Sequence, residues 1–325
     1  MSHKASPLTQ IKHSIGKALC GTFLTMLGVR NQAKKNAQKI VYKTEKLHFS
    51  YVPSALRGTH LLFLTDLHIG GDIDEIATQI SVDIHTVLKF SDREKTIILH
   101  GGDFVCGGHE ENMTSEKNFL DVAPHLFCGL TQYPQFAVLG NHDHTNKHFE
   151  AIRGHLEKIH KIKFLESPED TEIVYIEDAA ISIHCIHTLA TLLHKHIKAE
   201  RDKILDASIA SINSTETDFH VVLLHNPDGL EFLLQRLLET HQTLIHPTLF
   251  LAGHTHGGMF DIPFFRRIGL RACNTEHGRY KGWYGPEGKY AQTGDWQLYV
   301  STGIGNSKGL GYRINAHPEV VLFTL

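Results

Sequence analysis

Five short segments of the chain carry seven side chains able to bind a divalent cation. They are Asp66 and His68, then Asp103 after Gly102, then Asn141 within Gly140-Asn141-His142-Asp143, then His225, then His254 and His256 after Gly253. The set combines imidazole, carboxylate and amide oxygen without a thiolate, which suits hard to borderline divalent ions. Two such ions side by side activate a water near neutral pH and neutralise phosphoryl oxygens at the same time. The chemistry this predicts is hydrolysis of a phosphoester or a phosphoric anhydride.

Each residue type has a reason to be where it is. Asp66 and His68 are two apart at the end of an apolar run, and alternate strand residues share a face, so both are expected on one ion. Asp103 has two oxygens and follows two glycines, which makes it the natural bridge between two ions. Asn141 adds a neutral oxygen that keeps the site open to an anionic substrate. His142 is then free to face the phosphoryl group, with Asp143 expected on its second ring nitrogen. His254 and His256 are expected on one side of an extended turn, and His225 supplies a further imidazole. In a chain with 26 histidines, any one of these motifs alone reads equally well as a turn, a strand end or a surface pair. All of them in order, each after an apolar run, do not.

Those apolar runs are the elements that must position the chemistry. Residues 61–64, 96–99, 136–139, 221–224 and 249–252 read as buried strands, each delivering its motif to one sheet edge. Residues 73–89, 149–159 and 195–212 read as helices, and 173–186 as two strands around Glu177-Asp178. Three more strand-like pieces follow at 297–301, 310–314 and 319–325. Alternating strands and helices predict a layered α/β fold with ligands outside the strand ends. With no internal repeat or low-complexity linker, residues 43–325 read as one catalytic domain.

The composition narrows the class. With 325 residues and 41% apolar content the chain can fill a large core, and a formal net charge of −3 offers no basic field for nucleic acid, which is not expected as a partner. Five scattered cysteines, odd in number and without a C-x-x-C pair, point to a reducing compartment.

Residues 1–42 differ from the rest. Lys4, Lys12 and Lys17 precede an uncharged stretch, 18–29, that Arg30, Lys34, Lys35 and Lys39 follow. The stretch is shorter than the about 20 residues a membrane span needs. Ile15, Leu19, Phe23 and Met26 recur at helical spacing, so the segment reads as an amphipathic helix lying on a membrane surface. A helix packed on the catalytic domain and a cleaved signal are the competing readings. On the first, the protein is peripheral, held at a membrane surface.

The motif series D-x-H, GD, GNHD, H and GHTH resembles that of the calcineurin-like metallophosphoesterases over roughly residues 61–325. The resemblance implies a four-layer α/β fold in which two mixed β-sheets pack together between helices. It implies one ion on Asp66, His68, Asp103 and His256 and another on Asp103, Asn141, His225 and His254. His142 would stabilise phosphoryl oxygens or protonate the leaving group. Leu64-Thr-Asp-Leu-His-Ile-Gly70, Gly253-His-Thr-His-Gly-Gly258 and the ending around Pro318-Glu319-Val320 are similar to the YaeI- and YkuE-like branch of membrane-associated phosphodiesterases. Members of that branch similar to this chain imply an acylated nucleotide sugar as substrate, with UDP-2,3-diacylglucosamine cleaved to UMP and 2,3-diacylglucosamine 1-phosphate in lipid A biosynthesis. The metals implied are two divalent ions, Mn²⁺ first.

Departures from related patterns bear on the substrate. Cys106 stands three residues after Asp103, where purple acid phosphatases have a ligating tyrosine, so an iron–tyrosinate site is excluded. Cys185-Ile-His-Thr-Leu replaces a Gly-x-Asp-Asp turn. The stretch 259–296 mixes aromatics with cations and reads either as a flap, with Arg266, Arg267, Arg279 and Lys281 toward the phosphates, or as a surface subdomain. The alternatives to the lipid pyrophosphatase are another phosphodiesterase or phosphatase and, from a different class, a scaffold that has lost catalysis.

Overall fold

The computed structural model describes residues 30–47, 49–107, 113–186, 198–259, 278–306 and 311–325, together with Thr25 and Gly28. The amphipathic stretch expected within 1–29, Arg266 and Arg267 lie outside the described residues. In chain order the strands are β1 (Val41–Lys46), β2 (His60–Leu64), β3 (Thr96–His100), β4 (Gln135–Ala137), β5 (Ile162–Phe164), β6 (Glu172–Ile176), β7 (Ala179–Cys185), β8 (Phe219–Leu223), β9 (Thr248–Ala252), β10 (Gly282–Tyr284), β11 (Trp296–Val300) and β12 (Glu319–Thr324). The α-helices are α1 (Arg30–Gln38), α2 (Ala77–Leu88), α3 (Glu116–Leu126), α4 (Asn141–Thr145), α5 (Phe149–Lys158), α6 (Lys198–Ser214) and α7 (Asp228–Thr240).

The strands form two mixed six-stranded sheets, ordered β1-β12-β2-β3-β4-β5 and β10-β11-β9-β8-β7-β6. Side-chain alternation along each strand explains the layering. In β2, Leu61 and Phe63 face the second sheet and join Ile181, Val221 and Leu249 in the core between the sheets. Leu62 and Leu64 face the other way, onto Ile80 and Ile84 of α2, Phe119 of α3 and Ile152 of α5. The second sheet repeats this logic, with Val222 and Phe250 packed under Ile209 of α6 and Leu233 of α7. The result is the four-layer arrangement, helices–sheet–sheet–helices. Because every central strand is buried on both faces, each reads as an unbroken apolar run.

Parallel registers bring the motif-bearing strand ends to one edge. Leu64 of β2 pairs with His100 of β3, and Leu223 of β8 with Leu251 of β9. The β2–β3 ladder continues past the strands, with Asp66 N donating to Gly102 O at 2.9 Å and His68 N to Asp103 O at 3.0 Å. The first two motifs are therefore locked side by side by backbone hydrogen bonds alone.

One reading is corrected here. Residues 311–314 do not form a strand; Arg313 N and Ile314 N donate instead to Ala33 O and Met259 O, tying this loop to α1 and to the end of the His254 turn. The strands β1, β5 and β10 and the helices α1, α3, α4 and α7 were not anticipated. Helix α1 buries Ala33 and Ala37. No helix among the described residues is long and apolar enough to cross a membrane.

Candidate metal centre

The seven candidate ligands converge. Ligand atoms of Asp66, His68 and His256 lie within 4.8 Å of one another, and so do those of Asp103, His225 and His254. Nε2 of His68 is 3.2 Å from Nε2 of His256 on one side. Nε2 of His225 is 3.2 Å from both Nδ1 of His254 and Oδ1 of Asn141 on the other. Asp103 stands between the two sets, its Oδ2 3.6 Å from His68 Nε2 and 3.3 Å from His225 Nε2.

Oδ2 is the oxygen of Asp103 that faces both ligand sets. Oδ1 accepts the backbone amide of His142 at 2.8 Å, so the expectation of a carboxylate using one oxygen per ion is replaced by a single Oδ2 facing both sides. The geometry that puts it there needs Gly140, where a Cβ would lie 2.0 Å from Asp103 Oδ1. Gly253 plays the same part for Asp66, whose Oδ2 would be 2.3 Å from a Cβ there.

The ligand pairs do not share a side by strand alternation, as the spacing suggested. Asp66, His68, Asp103, His254 and His256 all have positive φ, between 47° and 70°. They make up half of the non-glycine residues with positive φ among the described residues. Each such conformation costs about 1–3 kcal/mol and persists where the surroundings over-determine it. Here the surroundings are the ladder beyond β2 and β3 and the Asp66 carboxylate, which accepts from Thr65 Oγ1 at 2.9 Å and from His254 N at 3.0 Å.

Asp143 is corrected as well. Its carboxylate does not hold the second nitrogen of His142; it accepts the backbone amides of Asp103 at 2.8 Å, Gly140 at 2.9 Å and Val105 at 3.3 Å. Asp143 thus clamps the Asp103 and Asn141 loops together and is a positioning residue. His142 Nδ1 is oriented instead by the amide of Gly107, at 3.0 Å. Because that nitrogen accepts, a neutral His142 carries its proton on Nε2. Its ring packs edge-on against His68, with centroids 4.7 Å apart.

The electrostatics are those of a site built for cations. Burial pushes the Asp66 carboxyl up to about 6 and, with Asp103 beside it, the Asp143 carboxyl up to about 8. Burial also works against ionised Asp103, but the imidazoles of His225, His142 and His68 hold it well below the ordinary carboxylate range. Burial opposes a charge on His225 too, yet Asp103 and Asp66 hold that imidazole up at about 9. His68 is driven by burial down to about 3, and its Nδ1 is buried without a hydrogen-bond partner among the described residues. Two pairs of imidazole nitrogens 3.2 Å apart, flanking a shared carboxylate oxygen, fit two divalent ions with N/O donors.

A model of the calcineurin-like phosphoesterases matches residues 59–258, more than half of the chain and every candidate ligand. The chain belongs to the calcineurin-like phosphoesterase family. Two curated proteins are similar over most of their length. One is the uncharacterized metallophosphoesterase YkuE of Bacillus subtilis (strain 168), 23% identical over 95% of this chain and 93% of that protein. The other is the phosphodiesterase YaeI of Escherichia coli (strain K12), 27% identical over 82% of this chain and 81% of that protein. Membership makes the chain a metal-dependent phosphoester hydrolase, in a family that uses divalent metal ions.

Of the cations expected to meet phosphate, the described ones are engaged elsewhere. Arg279 Nη1 pairs with Glu231 Oε2 of α7 at 2.6 Å, and its guanidinium lies over the Tyr290 ring. Lys281 Nζ donates to the carbonyl of Asn315 at 3.0 Å. Reading the sequence missed Thr65 and Arg313. Thr65 adjoins a motif and could have been suspected; Arg313 sits in a loop with no periodic signal.

Proposed function

We propose that this phosphoesterase hydrolyses the pyrophosphate of UDP-2,3-diacylglucosamine, giving UMP and 2,3-diacylglucosamine 1-phosphate, with two Mn²⁺ ions and at a membrane surface. The hydrolytic half of the reading is carried by one observation: Asp103 Oδ2 lies between two imidazole pairs, with His142 alongside. Bound divalent ions would supply the activated water and the charge neutralisation for the attacked phosphorus. Asp66, His68 and His256, and Asn141, His225 and His254, would hold them, with Asp103 shared.

The chain's own groups do the rest. His225 Nδ1 lies 2.8 Å from the carbonyl of Gly101, which fixes its Nε2 toward the site. His142 presents an N–H at Nε2, a donor to a phosphoryl oxygen or to the leaving oxygen as negative charge develops there. Asp143 holds the two loops that carry Asp103 and His142 at a fixed separation.

The lipid half is supported by the amphipathic stretch before Arg30, which lies outside the described residues, by the cations that flank it, and by the resemblance to those members of the branch that imply an acylated nucleotide sugar. A peripheral position on the cytoplasmic face of the inner membrane follows from the same features. A second reading, a phosphodiesterase with another substrate, is favoured by the similarity to the phosphodiesterase YaeI. The test is a panel of UDP-2,3-diacylglucosamine, cyclic nucleotides, bis(p-nitrophenyl) phosphate and phosphomonoesters with Mn²⁺, read by mass spectrometry. The proposal predicts the highest kcat/KM for the acylated nucleotide sugar; a higher value for a cyclic nucleotide or a monoester overturns it.

A further inference from the structure

Asn146, the residue after α4, is buried. Its Nδ2 donates to the carbonyl of Cys106 at 2.8 Å and to the carbonyl of Thr114 at 3.0 Å. Its Oδ1 accepts the backbone amide of His148 at 2.8 Å. Both protons of the side-chain amide are therefore used, and the contacts fix which way it points: turned over, its oxygen would face two carbonyls.

The carbonyl of Cys106 belongs to the same peptide unit as the N–H of Gly107, and in a trans peptide the two point to opposite sides. On one side the carbonyl accepts from Asn146 and from the amide of Thr114, the latter at 3.0 Å. On the other, the N–H of Gly107 donates to Nδ1 of His142. The unit is planar and stiff, so the grip on its carbonyl sets the direction of its N–H. Donation to the carbonyl also polarises the unit and strengthens that N–H as a donor. The peptide lies directly against α4: a Cβ at Gly107 would be 2.1 Å from the carbonyl oxygen of His142 and 2.5 Å from Thr145 Oγ1.

We propose that Asn146 is a positioning residue for His142, acting through the Cys106–Gly107 peptide to hold the ring in the orientation and tautomer that present Nε2–H to a phosphoryl or leaving oxygen. The inference rests on the role given to His142 in the hydrolytic reading. The side-chain hydrogen bonds of Asn146 go to Cys106, Thr114 and His148 and to no candidate ligand, so its effect on the chemistry passes through the peptide.

The test has two readouts. Long-range ¹H–¹⁵N spectra of metal-free full-length protein labelled on histidine, at about pH 8.5 where ordinary imidazoles are neutral, show which ring nitrogen carries the proton, and His142→Gln identifies the signal. The wild type is expected to hold the proton on Nε2 alone, and Asn146→Ala to share it between the two nitrogens. A wild-type proton on Nδ1, or an unaltered His142 signal in folded Asn146→Ala protein, overturns the proposal. The second readout is turnover of whichever panel substrate has the highest kcat/KM with Mn²⁺. Asn146→Ala is expected to lower kcat by about 10-fold, less than removal of His142 costs, with KM little changed and both ions retained. In a His142→Ala background the same substitution should have no further effect, because the two residues act as one unit. A loss of similar size in that background assigns Asn146 a purely structural role and overturns the proposal. If Asn146→Ala does not fold, Asn146→Asp, of nearly the same volume and without a donor, is read in the same way. His142→Ala with wild-type kcat removes the role of His142 and the inference together, whereas an impaired His142→Ala beside an unimpaired Asn146→Ala removes the inference alone.

Discussion

The carboxylate of Asp143 accepts the backbone amide of Asp103 at 2.8 Å and is buried with it, so the carboxylate that lies between the two candidate ligand sets is held by one that belongs to neither. Replacing Asp143 by Ala leaves the amides of Asp103, Gly140 and Val105 without their acceptor in a dry interior. Each orphaned donor costs about 1–3 kcal/mol. Asp143→Ala is therefore expected to lower the Tm of the metal-free protein by about 4 °C or more and to lose Mn²⁺ on gel filtration. An Asp143→Ala protein with wild-type Tm and metal content would refute the clamp.

His142 is predicted to be separable from metal binding. Its Nδ1 is occupied by the amide of Gly107 and its backbone amide by Asp103, while the ring stands beside His68. His142→Ala should keep two Mn²⁺ and lower kcat by about 10²-fold or more, with a smaller change in KM. Metal analysis beside steady-state kinetics checks both halves. Loss of an ion in His142→Ala would make His142 a ligand, an arrangement that its closeness to His68 and Asp103 also permits.

Two glycines test how tightly the backbone frames the site. A Cβ at Gly140 would sit 2.0 Å from Asp103 Oδ1, whereas one at Gly154, inside α5, would meet nothing within 4 Å. Gly140→Ala should displace Asp103 and abolish metal binding. Gly154→Ala should stabilise the protein by about 0.5–1 kcal/mol, since alanine loses less backbone freedom in a helix. Thermal melts and metal analysis of the two variants should move in opposite directions.

Acid stability follows from histidines away from the metal centre. Burial lowers His100 to about 4, His184 to about 4 and His220 to about 3; His184 and His220 stack with centroids 5.2 Å apart and share Ser182 Oγ. The unfolded chain takes up protons on these groups near 6.5. Between the two values the unfolded state binds more protons, so their contribution is complete above about pH 6.5 and is lost as pH falls toward 4. The Tm of the metal-free protein should drop over that interval. His220→Gln should flatten the slope of Tm against pH there, even if Tm is lower at neutral pH; an unaltered slope would contradict the assignment.

The legible part of this protein was the part in which chemistry and strand burial coincide. Val221, Val222 and Leu223 announce a doubly buried strand, and His225 two residues later announces its purpose. The left-handed turns at Asp66, His68, Asp103, His254 and His256 were not legible, because the enrichment of Asp and His at positive φ is too weak to mark single positions and these are dictated by ligand convergence. Asp143 was misassigned since proximity in sequence to His142 suggested a side-chain partner, while the short helix α4 turns its carboxylate back onto backbone amides. The strand expected at 310–314 failed for a related reason. Its apolar–polar alternation is real, but Arg313 is consumed in holding Asn306, Thr302 and His256, and β2 takes the place beside β12.

Equilibrium dialysis of metal-free protein against Mn²⁺, with metal and protein quantified together, tests the centre of this account most directly. Two Mn²⁺ per chain are expected in the wild type, with both lost in Asp103→Ala because Oδ2 of that one carboxylate faces His68 on one side and His225 on the other. Retention of both ions by a folded Asp103→Ala protein would contradict it.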